Sequence, residues 1–153
     1  MAITIAPTAD DPQLAEFYHR HWLDMGLPPE DALPDWHARA LAFIAQARAH
    51  RAFAGFVASD TGEPIGSACC HIVERAYPAF RPADAPVLGY VWGVYVQPTH
   101  RGTGIGARLV RACLDHLTAQ GCGRALLHAG DRSRPLYRRL GFQPTDELAR
   151  SLP

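Results

Sequence analysis

Residues Val94 to Gly106 read Val-Tyr-Val-Gln-Pro-Thr-His-Arg-Gly-Thr-Gly-Ile-Gly, and no other stretch narrows the fold as much. A run of β-branched and aromatic residues meets Pro98, which cannot continue a sheet ladder. Gly102, Gly104 and Gly106 then alternate at the head of a helical stripe of Leu109, Val110, Cys113, Leu114 and Leu117. Strand, glycine turn and helix in that order bring the first N–H groups of a helix, which have no internal partner, to the end of a strand. The helix macrodipole adds positive charge there, and glycine lets a ligand approach the backbone. Arg101 adds a guanidinium fork. The segment predicts a phosphate or pyrophosphate site.

Two other phosphate-binding motifs fit less well. A P-loop would end in Gly-Lys-Ser/Thr, whereas Ala107-Arg108 follows here. Gly102-Thr-Gly104-Ile-Gly-Ala107 formally matches the dinucleotide fingerprint, but that motif expects an acidic residue about 20 positions on, where this chain has Ala125-Leu-Leu-His128. Too little chain follows the loop for the rest of a doubly wound sheet.

The remaining pattern predicts an α/β domain spanning 1–153. Ile3 to Ala6 alternates as a first strand. Asp10 or Asp11 can cap a helix with Pro12 in its first turn and an inner stripe of Leu14, Phe17, Tyr18, His21 and Met25. Gly26 to Pro29 breaks it. A second helix begins near Pro34, with Leu33, Trp36, Ala40, Leu41 and Ile44 as its apolar face. Arg51 to Ser59 and Pro64 to Glu74 read as a hairpin around Asp60-Thr-Gly62. Arg75 to Pro86 holds Pro78, Pro82 and Pro86 and reads as a loop long enough to cover or bind something. Val87 to Gln97 is the densest strand, Gly104 to Gln120 a helix, Arg124 to His128 a strand, Ser133 to Leu140 a short helix, and Phe142 onward a last strand. His19, His37, His50 and His116 lie on these helices and read as surface. Trp22 and Trp36 read as core or as lining of an acceptor pocket.

Charge is balanced overall but divided along the chain, with a net −5 over residues 1–97 and +5 over residues 98–153. The basic part suits a polyanionic ligand. All 15 basic residues are arginine, the side chain best shaped for phosphate. Arg132, Arg134, Arg138 and Arg139 have no aromatic platform interleaved with them, which argues against nucleic acid. Cys69, Cys70, Cys113 and Cys122 form no CxxC pair, so no metal is expected and the thiols read as reduced. No apolar run is long enough for a membrane span, and the N-terminus lacks a signal pattern, so a cytoplasmic location is expected.

Arg101-Gly-Thr-Gly104-Ile-Gly106 resembles the (Gln/Arg)-x-x-Gly-x-(Gly/Ala) signature of the GNAT superfamily of N-acetyltransferases. Val94 to Val96 resembles that family's central strand, and Ser133-Arg-Pro-Leu-Tyr137-Arg-Arg-Leu-Gly-Phe142 its acid-bearing helix. The resemblance covers roughly residues 87–146. It implies a mixed sheet of about six to seven strands with flanking helices and a splayed pair of parallel strands, here residues 87–97 and 124–130. It implies acetyl-CoA as co-substrate, with the pyrophosphate on Arg101, Gly102, Thr103, Gly104, Ile105 and Gly106 and the pantetheine arm along Val94, Tyr95 and Val96. Tyr137 takes the place of the general acid, which protonates the departing thiolate. The family often has Asn seven residues before this tyrosine and Ala four before it; here Gly130 and Ser133 stand there, with Ser133 as a cofactor contact. The implied reaction is direct attack by a primary amine, of a small molecule or a peptide, in a ternary complex. A non-catalytic acyl-CoA binding module is the alternative. An alkylamine is mostly protonated at neutral pH, so a proton acceptor is needed. Glu74 ranks first for that role, with His71, Tyr90 and His128 as the other candidates. Homodimers are common in the family and are the assembly to test for.

Overall fold

The computed structural model describes residues 2–153. Strand β1 (Ile3–Thr8) leads into helix α1 (Asp11–Asp24). The Asp10 carboxylate accepts the Gln13 N–H at 3.0 Å, satisfying one of the donors a helix start leaves open. A 3₁₀ turn over Pro29–Asp31 separates α1 from α2 (Trp36–His50). The hairpin comes next as β2 (Ala54–Asp60) and β3 (Glu63–Val73), with Thr61 at φ 51° and Gly62 at φ 91° supplying the twist of a tight turn. The chain continues through β4 (Val87–Val96), α3 (Ile105–Ala119), β5 (Cys122–Leu126) and α4 (Arg134–Arg139).

The sheet runs β1-β2-β3-β4-β5, antiparallel except for the last, parallel pair. It therefore has five strands among the described residues, fewer than the six to seven expected. The chain after Phe142 forms no strand and is exposed from Gln143 onward.

Two apolar layers enclose the sheet. Ala68, Cys70 and Val91 pack with Leu109, Cys113 and Leu117 of α3 on one face. Cys69 packs with Leu14 of α1, Ile44 and Ala47 of α2, and Phe53 on the other. The adjacent Cys69 and Cys70 thus point to opposite faces, as strand alternation requires. Met25 and Leu33, expected on inner stripes, are each 55% exposed, because the helical stretches end before Met25 and begin after Leu33.

Two irregularities of β4 decide which of its side chains and backbone groups are open to a ligand. Ser67 pairs with Tyr95 and Cys69 with Trp92, so two steps on β3 oppose three on β4. The extra residue is a β-bulge, with Gly93 at φ 62°. It inverts the alternation: Trp92 and Tyr95 both face α1 and α2, with Tyr95 stacked on Phe17 at 5.3 Å, while Val94 and Val96 pack toward α3. The second irregularity is at the other edge. β4 and β5 pair only from Val87/Cys122 to Tyr90/Leu126. β4 then runs on to Val96 with no strand on its β5 side, so a gap opens between residues 91–96 and 127–130.

Candidate active site

The glycine turn lies at the end of β4 where this gap is open. Gly102 (φ 74°) and Gly104 (φ 84°) adopt left-handed backbone, and a Cβ on either would meet open space. The first helical acceptor is the Gly104 carbonyl, taken by the Arg108 N–H at 3.1 Å. The N–H groups of Gly102, Thr103, Gly104, Ile105 and Gly106 donate to no acceptor among the described residues. They form a run of unpartnered donors at the positive end of a 15-residue helix. Thr103 is held by its hydroxyl, which donates to the His100 carbonyl at 2.7 Å. Gly106 lies beside α4: a Cβ there would be 3.5 Å from Leu136, an ordinary contact.

Arg101 does not extend into this run. Its Nε–H donates to the Val96 carbonyl at 2.8 Å, its Nη2 pairs with Asp24 of α1, and its guanidinium lies 5.8 Å from the Tyr95 ring centre. The side chain ties the turn to α1, and at Val96, one of the three residues expected to seat the pantetheine arm, the carbonyl is already engaged. Basic character is retained locally. Burial lowers the His21 pKa, Asp24 opposes that, and the nearby charges of Arg132 and Arg101 lower it further. Arg132 therefore converges on the same end of the molecule from the loop before α4.

Tyr137 is held by α4 and is 8% exposed, its ring edge-on to Phe142 at 5.8 Å. Burial pushes its phenol pKa up to about 12, so the hydroxyl stays neutral and able to donate. Ser133 sits at the head of α4, where its hydroxyl donates to the Gly130 carbonyl at 3.3 Å. Tyr137, Tyr90, Leu127 and His128 line one groove of about 1000 Å³.

The face toward α1 and α2 carries His71 and Tyr90, two of the four candidate proton acceptors. His71 and Tyr90 are cross-strand partners. The Trp92 Nε1–H donates to His71 Nδ1 at 3.0 Å, which assigns the proton of the neutral ring to Nε2. A second proton would have to break that bond. Burial, then the charge of Arg51, lowers the His71 pKa as well. His71 is thus arranged as a donor. Around it Phe43, Trp92 and Tyr18 meet edge to face at 5.2–5.5 Å. Trp22, 39% exposed, adds to this aromatic wall. Trp36 stacks instead on His19 at 4.1 Å. Glu74 is just past the end of β3, next to a residue that pairs with Leu88. That is the end of β4 far from the glycine turn, and alternation puts Glu74 on the face opposite His71. The Tyr90 hydroxyl and His128 Nδ1 are hydrogen-bonded at the point where β4 and β5 separate. Each is a candidate on sequence grounds, but nothing in the spacing of 38 residues joins them. Of the histidines expected at the surface, His19 and His116 are half-buried instead, His19 against Trp36 and His116 with its Nε2 hydrogen-bonded to the Ala52 carbonyl at 2.7 Å. No group of three or more His, Cys, Asp or Glu suited to a metal occurs among the described residues. None of the described helices is long and apolar enough to cross a membrane.

Comparison with known proteins bears on the family and on the fold. Residues 13–142 match the sequence profile of the Acetyltransferase (GNAT) family. A glucosamine 6-phosphate N-acetyltransferase of Trypanosoma brucei brucei is 30% identical over 95 residues, which span 62% of this chain and 61% of that protein. Among solved structures, a GCN5-related N-acetyltransferase from Ralstonia eutropha superposes with a TM-score of 0.84 at 23% identity, covering 99% of each chain. An acetyltransferase from Clostridium acetobutylicum, solved with acetyl-CoA, gives 0.86 at 20% identity over 99% of this chain and 96% of the other. These two likenesses show a shared α/β fold.

Proposed function

Because the chain belongs to the Acetyltransferase (GNAT) family, we propose that it transfers the acetyl group of acetyl-CoA to a primary amine of a small molecule by direct attack in a ternary complex. The observation that carries this reading is the run of five open N–H groups from Gly102 to Gly106, at the mouth of the gap between β4 and β5. A diphosphate is the ligand such a run fits best, because it accepts several hydrogen bonds and carries charge opposite to the helix end. The unpaired edge of β4 is the natural seat for an extended, amide-bearing arm. Acetyl-CoA has both features and would supply the acyl group as a thioester.

The chain's own residues then divide the work. The glycine-turn amides bind and orient, and Arg101 holds the turn against α1. Tyr137 donates its proton to the sulfur as the C–S bond breaks, and its raised pKa keeps that proton available throughout the neutral range. A covalent acyl-enzyme is disfavoured by the state of the thiols. Burial raises the Cys69 and Cys122 pKa values, and the contact with Cys70, with burial second, raises that of Cys113. The aromatic wall of Tyr18, Phe43 and Trp92 offers an acceptor an apolar and π-rich surface. The net negative charge of the first 97 residues suits a cationic acceptor. The similarity to a glucosamine 6-phosphate N-acetyltransferase supports a small acceptor over a protein.

The test is release of free thiol from acetyl-CoA in the presence of a panel of small primary amines. We expect at least one amine to give turnover, and Tyr137→Phe to lower kcat by on the order of 10²-fold with coenzyme affinity unchanged. Acetyl-CoA binding without turnover on any amine would support a binding module instead.

A further inference from the structure

Granting the acetyltransferase reading, the geometry points to Tyr90 and His128 as a proton relay that deprotonates the attacking amine, with Tyr90 the catalytic group and His128 the residue acting through it.

Tyr90 is the last residue of β4 paired to β5, so its side chain stands at the apex of the gap that the unpaired edge of β4 borders. It faces α1 and α2, on the opposite side of the sheet from Gly89, whose added Cβ would strike Leu117 of α3. Tyr137 is held on the side of α3 by α4, where Cys113 of α3 helps to raise its pKa. A proton donor and a proton-accepting pair thus flank one gap from opposite sides and line the same groove. An amine attacking a carbonyl in that gap approaches from one side while the thiolate departs on the other.

The two side chains are also connected to each other and to water. The Tyr90 hydroxyl is hydrogen-bonded to His128 Nδ1. His128 is exposed, so its other nitrogen can exchange protons with solvent. The competing groups are less suited: His71 Nδ1 is already taken by Trp92, and Glu74 lies beyond the far end of the strand.

In the proposed step the amine lone pair forms the C–N bond. A proton leaves nitrogen for the Tyr90 oxygen as the Tyr90 proton moves to His128 Nδ1. The imidazolium then returns a proton to solvent from Nε2. The C–S bond breaks, the thiolate takes its proton from Tyr137, and exchange with solvent then reprotonates Tyr137 and restores the starting tautomer of His128. The net products are the amide and the free thiol. The charged and titratable groups around the pair are His71 across the strand, Arg124 on β5, Arg134 and Arg138 on α4, and Glu147 of the C-terminal segment. Burial, with the charge of Glu147, raises the Tyr90 pKa, which keeps the phenol neutral and dependent on His128 to accept its proton.

The experiment measures kcat/KM against pH for wild type, Tyr90→Phe and His128→Ala, with acetyl-CoA and the best amine of the panel. Tyr90→Phe should lower kcat by at least about 10²-fold without weakening acetyl-CoA binding. His128→Ala should abolish the acid limb of the profile and recover activity when imidazole is added to the buffer, a rescue that a structural role would not show. His128 is exposed, so this variant remains informative even if Tyr90→Phe folds poorly. Activity of Tyr90→Phe within about twofold of wild type, against the loss that general-base catalysis demands, or an unchanged profile and no rescue in His128→Ala, would overturn the relay. A wild type inactive on every amine would overturn the acetyltransferase reading itself, and the two failures are told apart in the first arm.

Discussion

Tyr137 and Arg101 show how differently single residues can be read. The motif around Tyr137 makes it the candidate acid, and the fold adds what the motif lacks, namely the burial that raises its pKa to about 12. That shift has a consequence for stability. The unfolded phenol titrates near 10, so between about pH 9 and 11 the unfolded state gains charge that the native state resists. The stabilisation from the neutral native phenol is fully present below about pH 10 and is lost as pH rises toward the folded value. Urea unfolding at about pH 9 and pH 11 should show Tyr137→Phe losing less stability over that interval than wild type, by about 1 kcal/mol. Equal losses would mean the phenol is not held neutral. Arg101, in contrast, is expected from sequence to aim its fork at phosphate. Its partner Asp24 lies 77 residues away in the chain, and only the packing of α1 against β4 brings them together. Local sequence carries no trace of such a pairing.

Among the elements, sequence is most informative where periodicity and punctuation agree. The glycine turn, α3 and the β2–β3 hairpin fall close to expectation. The bulge is harder to foresee, although a glycine inside an otherwise dense strand is its usual mark. Gly93 at φ 62° is that mark, and it decides which β4 side chains face the aromatic wall. The fifth strand, expected to extend to His128, stops pairing at Leu126. Leu127 and His128 suit a strand by composition, yet they lie where β5 has left β4. The neighbouring β3 imposes its own requirement at Gly66, beside the bulge. A Cβ there would sit 2.4 Å from the Tyr95 carbonyl oxygen and 3.2 Å from Val96 Cα, both backbone atoms that cannot step aside. Gly66→Ala should cost on the order of 3 kcal/mol in urea unfolding. Gly102→Ala, which meets open space, should cost only the roughly 1–2 kcal/mol of its left-handed backbone. Equal costs would show that the strands part to admit the methyl, and that the bulge yields easily.

Taken over the described residues, the sheet divides. Helices on both sides of the five strands build a two-faced core. The parallel pair is closed at one end, from Val87 to Tyr90, and open at the other, where a helix start presents unpaired amides. The charge asymmetry of the sequence follows the same division, with a basic second part that carries the turn and an acidic first part that carries the wall. The expectation of a further strand after Phe142 rests on composition alone, and the described chain there stays exposed from Gln143 onward. Everything functional depends on the turn after Pro98 holding a diphosphate. Calorimetric titration of acetyl-CoA into wild type and Gly104→Asp measures this without any need to know the amine. Aspartate tolerates the left-handed backbone better than most residues, so the variant should fold, while its carboxylate repels phosphate. We predict micromolar binding to wild type and a loss of at least about tenfold in the variant, as expected for a like charge set against the phosphates. Equal affinity for both proteins would refute the diphosphate site and the enzyme built around it.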